Sequence, residues 1–259
     1  MNISFIGAGN VAWHLAPALD NTDYGVREVF SRRAMHASAL AARLYQAQVM
    51  DSLDFSESHS DVFIIAVSDD AIEEVANEII LPENAILAHT SGTQPLRILS
   101  SAATPNIGVL YPLQTFSKNK KVEFKDIPFL IESENKETET ALSNIARAIS
   151  KKVYTCSSDD RKALHIAAVF ASNFTNHMLS IAAEIMKQHR FDLDLLKPLI
   201  AETVNKSLAI GPEEAQTGPA HRGDLEVLDQ HVEFLKKEKR LQEIYKMISQ
   251  DILDKYQPD

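Results

Sequence analysis

The sequence predicts an α/β fold: a doubly wound, mostly parallel Rossmann sheet followed by a smaller all-helical domain. Three observations lead there. Short apolar runs of strand character alternate with helix-period patterns through the first 155 residues. A glycine turn, Gly7-Ala8-Gly9-Asn10-Val11-Ala12, joins the first such run to the first helical pattern. After Cys156-Ser157-Ser158-Asp159-Asp160 no strand-like run returns, and Ser and Asp there are helix-capping residues. The expected division is a dinucleotide-binding domain over residues 1–157 and a helical substrate and dimerisation domain over residues 158–259.

Each element follows from its residues. Ile3-Ser4-Phe5-Ile6 reads as a buried strand, and Val11, Leu15 and Leu19 recur at helical spacing behind the turn. Within the turn, Gly7 permits the tight reversal, Gly9 lets backbone approach a pyrophosphate, and Ala12 keeps helix close to strand. The helix N-terminus adds unpaired N–H groups and partial positive charge. Residues 26–31 form a second strand and 35–44 a helix; 62–67 a strongly apolar strand and 71–80 a helix; 85–88 a strand, with a short helix after Pro95. Residues 107–110 and 128–131 are further strands, 137–149 a helix and 152–154 an edge strand. One long helix is expected over 160–189, then helices at 193–210, 225–237 and 239–256, with Pro198 resetting the start of the first of these.

Composition narrows the function. A length of 259 residues with 45% apolar content suits one or two domains with real cores. The net charge of −10 disfavours nucleic acid, and the basic clusters at 118–121 and 236–240 read as a solvated loop and a solvated helix face. Nine histidines show no metal-binding spacing. A strand beginning at residue 3 leaves no room for a signal peptide, no apolar run reaches membrane-spanning length, and a lone Cys156 fits a reducing cytoplasm.

The candidate site is built from strand ends. Gly7, Ala8, Gly9, Asn10, Val11 and Ala12 are the dinucleotide candidates. The second strand ends in Ser31-Arg32-Arg33, where an NAD-selecting acid would stand; Glu28 is too early in the strand. Arginine there provides a contact for a 2′-phosphate, which favours NADP over NAD. Val67, Ser68 and Asp69 follow the most apolar strand and either line the cofactor or cap the next helix. His89 precedes Thr90-Ser91-Gly92 and is a candidate proton carrier, with Ser91 a substrate donor. Gln114 is a polar contact after the 107–110 strand, whereas Tyr111 reads as ordinary loop packing. On an ideal α-helix His165, Ser172 and Asn176 lie within about 40° of one another and Asn173 about 80° from His165. That polar stripe needs partners, either a hydrogen-bond network or a substrate. His221 and Arg222 lie in Gly218-Pro219-Ala220-His221-Arg222-Gly223-Asp224, a turn where Arg222 either binds an anionic substrate group or pairs with Asp224, itself a natural helix cap.

Gly7–Ala12, Ser31-Arg32, His89-Thr90-Ser91-Gly92, Pro112-Leu113-Gln114-Thr115-Phe116, Asp159-Asp160-Arg161-Lys162-Ala163, Ala168-Val169-Phe170-Ala171-Ser172-Asn173 and the Gly218–Asp224 turn together resemble the bacterial Rossmann-like NADP oxidoreductases. In these a dinucleotide domain is joined to a helical domain of unassigned function. The architecture is also similar to pyrroline-5-carboxylate reductase, ketopantoate reductase, hydroxyisobutyrate dehydrogenase and the F420-dependent NADP oxidoreductases. The resemblance implies a helical domain that closes the nicotinamide pocket and builds a homodimer. It does not extend to the hydroxyacid mechanism, whose Lys and following Asn are absent: Lys162 is followed by Ile166, and His165 by Val169. The expectation is an NADP-dependent oxidoreductase acting on a carbonyl or imine carbon of a small polar metabolite, with His89 or His165 moving the proton and Asn173, Ser91 and Arg222 orienting the substrate. The alternatives are a non-catalytic NADP-binding sensor or assembly module and, with no legible deazaflavin site, an F420 partner.

Overall fold

The computed structural model describes residues 1–257. Contacts divide the chain into two compact units, Met1–Asn173 and Phe174–Asp259.

The first unit is an eight-stranded sheet. Its strands are β1 (Asn2–Ile6), β2 (Gly25–Phe30), β3 (Gln48–Met50), β4 (Val62–Ile65), β5 (Ile86–His89), β6 (Ile107–Pro112), β7 (Phe129–Glu132) and β8 (Val153–Thr155). They lie in the order β3-β2-β1-β4-β5-β6-β7-β8. All pairs from β3 through β6 are parallel, β7 runs antiparallel to β6, and β8 runs parallel to β7. Alternate side chains feed two cores. Ile3, Phe5, Val62 and Ile64 face one side, where α1 (Asn10–Asp20), α2 (Ala34–Ala41) and α4 (Lys136–Arg147) pack. Ile6, Phe63 and Ile65 face the other, against α3 (Ile72–Glu78) and Leu99. Strands covered on both faces read as continuous apolar runs, which made β1 and β4 conspicuous. Strand order reverses between β1 and β4, and this topological switch point opens a crevice beyond their carboxyl ends.

Local departures from expectation have local causes. The short edge strand β3 pairs with β2 yet carries no apolar run to announce it. The helix expected after Pro95 is a single 3-10 turn, Leu96–Leu99. The expected long helix is interrupted: α5 (Ser158–Ala168) passes into a π-helical stretch, Val169–Phe174, before α6 (Thr175–Gln188). The two units meet in sequence within this stretch, later than the expected break after residue 157, because Ser158 and Arg161 tie α5 to the sheet.

The second unit contains α6, a 3-10 turn at Leu193–Leu196, α7 (Lys197–Ile210), α8 (Pro212–Ala215), α9 (Leu225–Phe234) and α10 (Lys239–Tyr256). Pro198 sits in the first turn of α7, where its missing N–H costs no hydrogen bond. Asp224 caps α9 by accepting from Val227 N at 3.4 Å. Ala220, Leu228, Leu235 and Leu241 are its buried apolar residues. Among the described residues no helix is long and apolar enough to cross a membrane.

Candidate functional site

The glycine turn is fixed by backbone geometry. Gly7 has φ +110°, donates its N–H to Phe30 O at 2.8 Å, and leaves no room for a side chain: a Cβ would stand 2.4 Å from Ala66 O. Gly9 opens α1, and no side chain caps the first-turn N–H groups. These groups border a cleft of about 780 Å³ at the switch point, lined by Gly7, Ala8, Gly9, Asn10 and Val11. Ser31, Arg32 and Arg33 at the end of β2 and Val67 and Ser68 beyond β4 line it too. Glu28, the one acid of β2, is engaged elsewhere, accepting from the hydroxyls of Ser4 and Ser58 at 2.5 Å and of Ser60 at 3.4 Å. Open helix N–H groups, two guanidinium groups and a side-chain-free turn are a donor set that fits an anionic dinucleotide.

Ala12 is fully buried in the core as the expected spacer between α1 and the sheet and does not itself line the cleft. Asp69 accepts a hydrogen bond from the Thr93 hydroxyl and does not line the cleft. Next to it, the Ser68 hydroxyl holds the Asp70 carboxyl below its ordinary pKa, with its own backbone N–H and the Arg32 charge adding to the effect. Lys118 is a correction in the opposite sense. Read as part of a solvated loop, it lies across the glycine turn, with Nζ donating to Ala8 O at 3.0 Å and standing 4.6 Å from the Trp13 ring centroid.

A second cluster occupies the carboxyl ends of β5 and β6. His89 is fully buried, and burial, then the Arg161 charge, push its pKa down to about 3. Its Nδ1 accepts from Ser91 N at 3.1 Å, while Nε2 has no hydrogen-bond partner among the described residues. The expected proton carrier is therefore a neutral imidazole that shapes its own loop. Tyr111, read as packing, instead bonds through its hydroxyl to His165 Nδ1 at 2.9 Å, and burial pushes its pKa up to about 12. Gly92 lies against both: a Cβ there would be 2.5 Å from His165 Nδ1 and 2.8 Å from Tyr111 Cζ. His165 itself is half-buried. Beneath this pair Arg161 has no exposed surface, forms an ion pair with Glu132, and donates to Gln94 O and toward Ser158. The roles of Tyr111, Arg161 and Lys118 were missed because each lies far in sequence from its partner; the signals were Tyr111's strand-end position, like that of His89, and Arg161's place in the Asp159–Ala163 motif.

The remaining candidates are dispersed. Ser91 Oγ accepts from Thr93 N and Gln94 N at 3.1 and 3.0 Å, so it fixes a turn. Gln114 is exposed and accepts from Thr115 N at 2.8 Å, folding back on its own loop. Ser172 is half-buried and Asn173 exposed, both inside the π-helical stretch, so angles drawn on an ideal α-helix do not apply to them. In the second unit the His221 ring lies 4.9 Å from that of Tyr256. Arg222 is exposed and forms no ion pair with Asp224 among the described residues, Asp224 being used as a cap. No cluster of His, Cys, Asp and Glu able to hold a metal occurs among the described residues.

Comparison with known proteins places this geometry in context. Residues 2–91 match the family described as NADP oxidoreductase, coenzyme F420-dependent, and residues 127–252 a domain of unknown function, DUF2520. The crystal structure of a candidate NADP oxidoreductase, BF3122 from Bacteroides fragilis, is 38% identical and superposes with a TM-score of 0.90 over 98% of both chains. Protein TM1727 from Thermotoga maritima is 25% identical, with a TM-score of 0.72 over 96% of both chains. An imine reductase from Myxococcus stipitatus, solved with NADP+, shares the fold at 14% identity, with a TM-score of 0.67 over 98% of this chain and 92% of its own. By sequence, no curated protein matches.

Proposed function

The chain belongs to the NADP oxidoreductase family represented by the Bacteroides fragilis protein, and on that premise we propose that it is an NADP-dependent enzyme transferring hydride between the cofactor and a carbonyl or imine carbon of a small polar metabolite. The observation that carries the reading is the cleft of about 780 Å³ that joins the glycine turn to Ser31-Arg32-Arg33, with Glu28 held away from it. In this reading Gly7–Val11 and the first turn of α1 hold the pyrophosphate, and Ser31 and Arg32 take the 2′-phosphate that distinguishes NADP from NAD. A bound nicotinamide supplies or accepts the hydride. The proton is assigned to His165. Tyr111, its pKa pushed up to about 12, stays a hydroxyl that bonds His165 at Nδ1, orients the ring and leaves Nε2 for exchange. His89 is a positioning residue: its buried Nδ1 holds the Ser91 backbone and so seats Gly92 against the pair. Asn173, exposed at the end of the first unit, remains the candidate for orienting the substrate.

The same reading makes the protein a cytoplasmic homodimer. Support comes from large apolar side chains exposed in the second unit, among them Leu199 at 62%, Leu208 at 82% and Phe234 at 65%, and from the single cysteine.

Calorimetric titration with NADPH and NADH tests the cofactor assignment. NADPH is expected to bind more tightly, and Arg32→Asp to weaken NADPH by about 10- to 100-fold, the range of a charge-assisted contact, while sparing NADH. Equal affinities in the unmodified protein would sink the NADP assignment. Cyclic imines and small oxo acids are then screened for loss of the reduced-nicotinamide absorbance. Tight binding without turnover of either class would leave the sensor reading in its place.

A further inference from the structure

We propose that Lys118 is a pyrophosphate-binding residue, carried into the cofactor cleft by a strap of chain seated on α1, and that Trp13 beneath it reports its engagement. The proposal rests on the dinucleotide reading of the cleft. Its first observation is placement. Lys118 is separated from the glycine turn by 110 residues, yet its Nζ lies 3.0 Å from Ala8 O and borders the cleft.

The second observation is that α1 itself fixes this placement. His14 Nε2 is 2.9 Å from Ser117 O, and the His14 ring stacks on Phe116 at 5.9 Å. Phe116 in turn packs on Phe124 at 6.0 Å. Residues 116–118 are thus held by the helix whose N-terminus opens on the cleft, and the ammonium keeps register with the turn.

The third is charge. Lys118 forms no ion pair among the described residues, and the first turn of α1 contains no acid to neutralise it. What steadies the ammonium is the Trp13 ring at 4.6 Å, which attracts a cation without cancelling its charge. Arg43 lies over the same ring at 4.2 Å and donates to Trp13 O, so the platform is braced separately from the strap. An ammonium has three N–H donors. Ala8 takes one, leaving the others for a phosphate oxygen beside the open N–H groups of α1.

Position selects which phosphate. Ser31-Arg32-Arg33 stand at the end of β2, where the 2′-phosphate is read, whereas Lys118 contacts the turn after β1, over which the pyrophosphate lies. Lys118 therefore serves NADP and NAD alike and sets affinity, while Arg32 sets the choice between them.

The test uses the full-length protein with NADP+, NAD+ and adenosine 2′-monophosphate, titrated by calorimetry into the unmodified chain, Lys118→Met and Lys118→Arg. The expected result is an equal loss of NADP+ and NAD+ affinity in Lys118→Met, about tenfold, partly recovered in Lys118→Arg, with adenosine 2′-monophosphate unaffected. Trp13 is the only tryptophan in the sequence. Its emission should change when NADP+ draws Lys118 toward the phosphates, and that change should vanish in Lys118→Met. Oxidised nucleotides are used because they do not absorb tryptophan emission. Unchanged affinities in Lys118→Met and Lys118→Arg would overturn the proposal. So would losses confined to NADP+ and adenosine 2′-monophosphate, which would make Lys118 a 2′-phosphate residue. Failure of the unmodified protein to bind either dinucleotide would instead remove the reading beneath it, and the proposal with it.

Discussion

Burial decides the chemistry at His89. Its imidazole stays neutral in the folded protein down to a pKa of about 3, against an ordinary value of 6.5. The unfolded chain takes up the proton as pH falls through 6.5, and the folded chain does not. The stability contributed by the neutral form is therefore complete above pH 6.5 and is lost between 6.5 and 3, by about 1.4 kcal/mol per pH unit. Urea unfolding should give about 2 kcal/mol less stability at pH 5 than at pH 7.5 from this residue alone. His89→Asn, which keeps an acceptor for Ser91 N, should flatten that slope. Equal acid losses in both proteins would show that His89 is not the responsible group. Tyr111 is the converse case: pushed up to about 12, it stays a hydroxyl and is useful as a fixed partner.

At the scale of elements, α5 is the joint on which the candidate chemistry depends. Its docking uses a buried ion pair, Arg161 with Glu132, whose side chains are 0% and 17% exposed. Removing one partner of such a pair strands the other charge, so Arg161→Ala should cost about 3 kcal/mol in chemical denaturation. The double change Arg161→Met with Glu132→Gln should recover a large part of that. A cost under about 0.5 kcal/mol for the single change, the range of ordinary surface substitutions, would mean that the pair does not hold α5. A gentler probe is Gly92→Ala. Its Cβ would overlap both His165 and Tyr111 and force them apart, with an expected loss of about 1–3 kcal/mol. Tyr111→Phe keeps the ring, deletes only the 2.9 Å bond, and should cost about 1 kcal/mol. A loss under about 0.5 kcal/mol for Gly92→Ala, the range of ordinary surface substitutions, would contradict the steric argument.

At the scale of the molecule, the homodimer proposal predicts a solution mass of twice the 28.8 kDa chain. Sedimentation at micromolar concentration checks it. Pairing Leu199→Glu with Leu208→Glu, both highly exposed, should shift the protein to monomer without lowering its unfolding temperature. A monomeric unmodified protein would leave those side chains without the partner the proposal gives them.

The sequence alone determined most of the sheet and the glycine turn, and it set the expectation of an anionic ligand. Periodicity and local backbone demands are short-range properties: an apolar run covered on both faces, a glycine with positive φ, a serine and two arginines at a strand end. Each is written within a few residues, so β1, β4, Gly7 and Ser31-Arg32-Arg33 were legible. Edge strand β3 and the π-helical stretch at 169–174 were not, since neither has a periodicity of its own. Only the tertiary structure decided which polar residues are available for chemistry. Dielectric environment and partners come from chain segments far apart in sequence: burial and then the Arg161 charge favour neutral His89, Tyr111 bonds His165 across 54 residues, and the strap held by His14 brings Lys118 across 110 residues to the turn. Residue type announces what a side chain is able to do, but burial and partners select whether it does so.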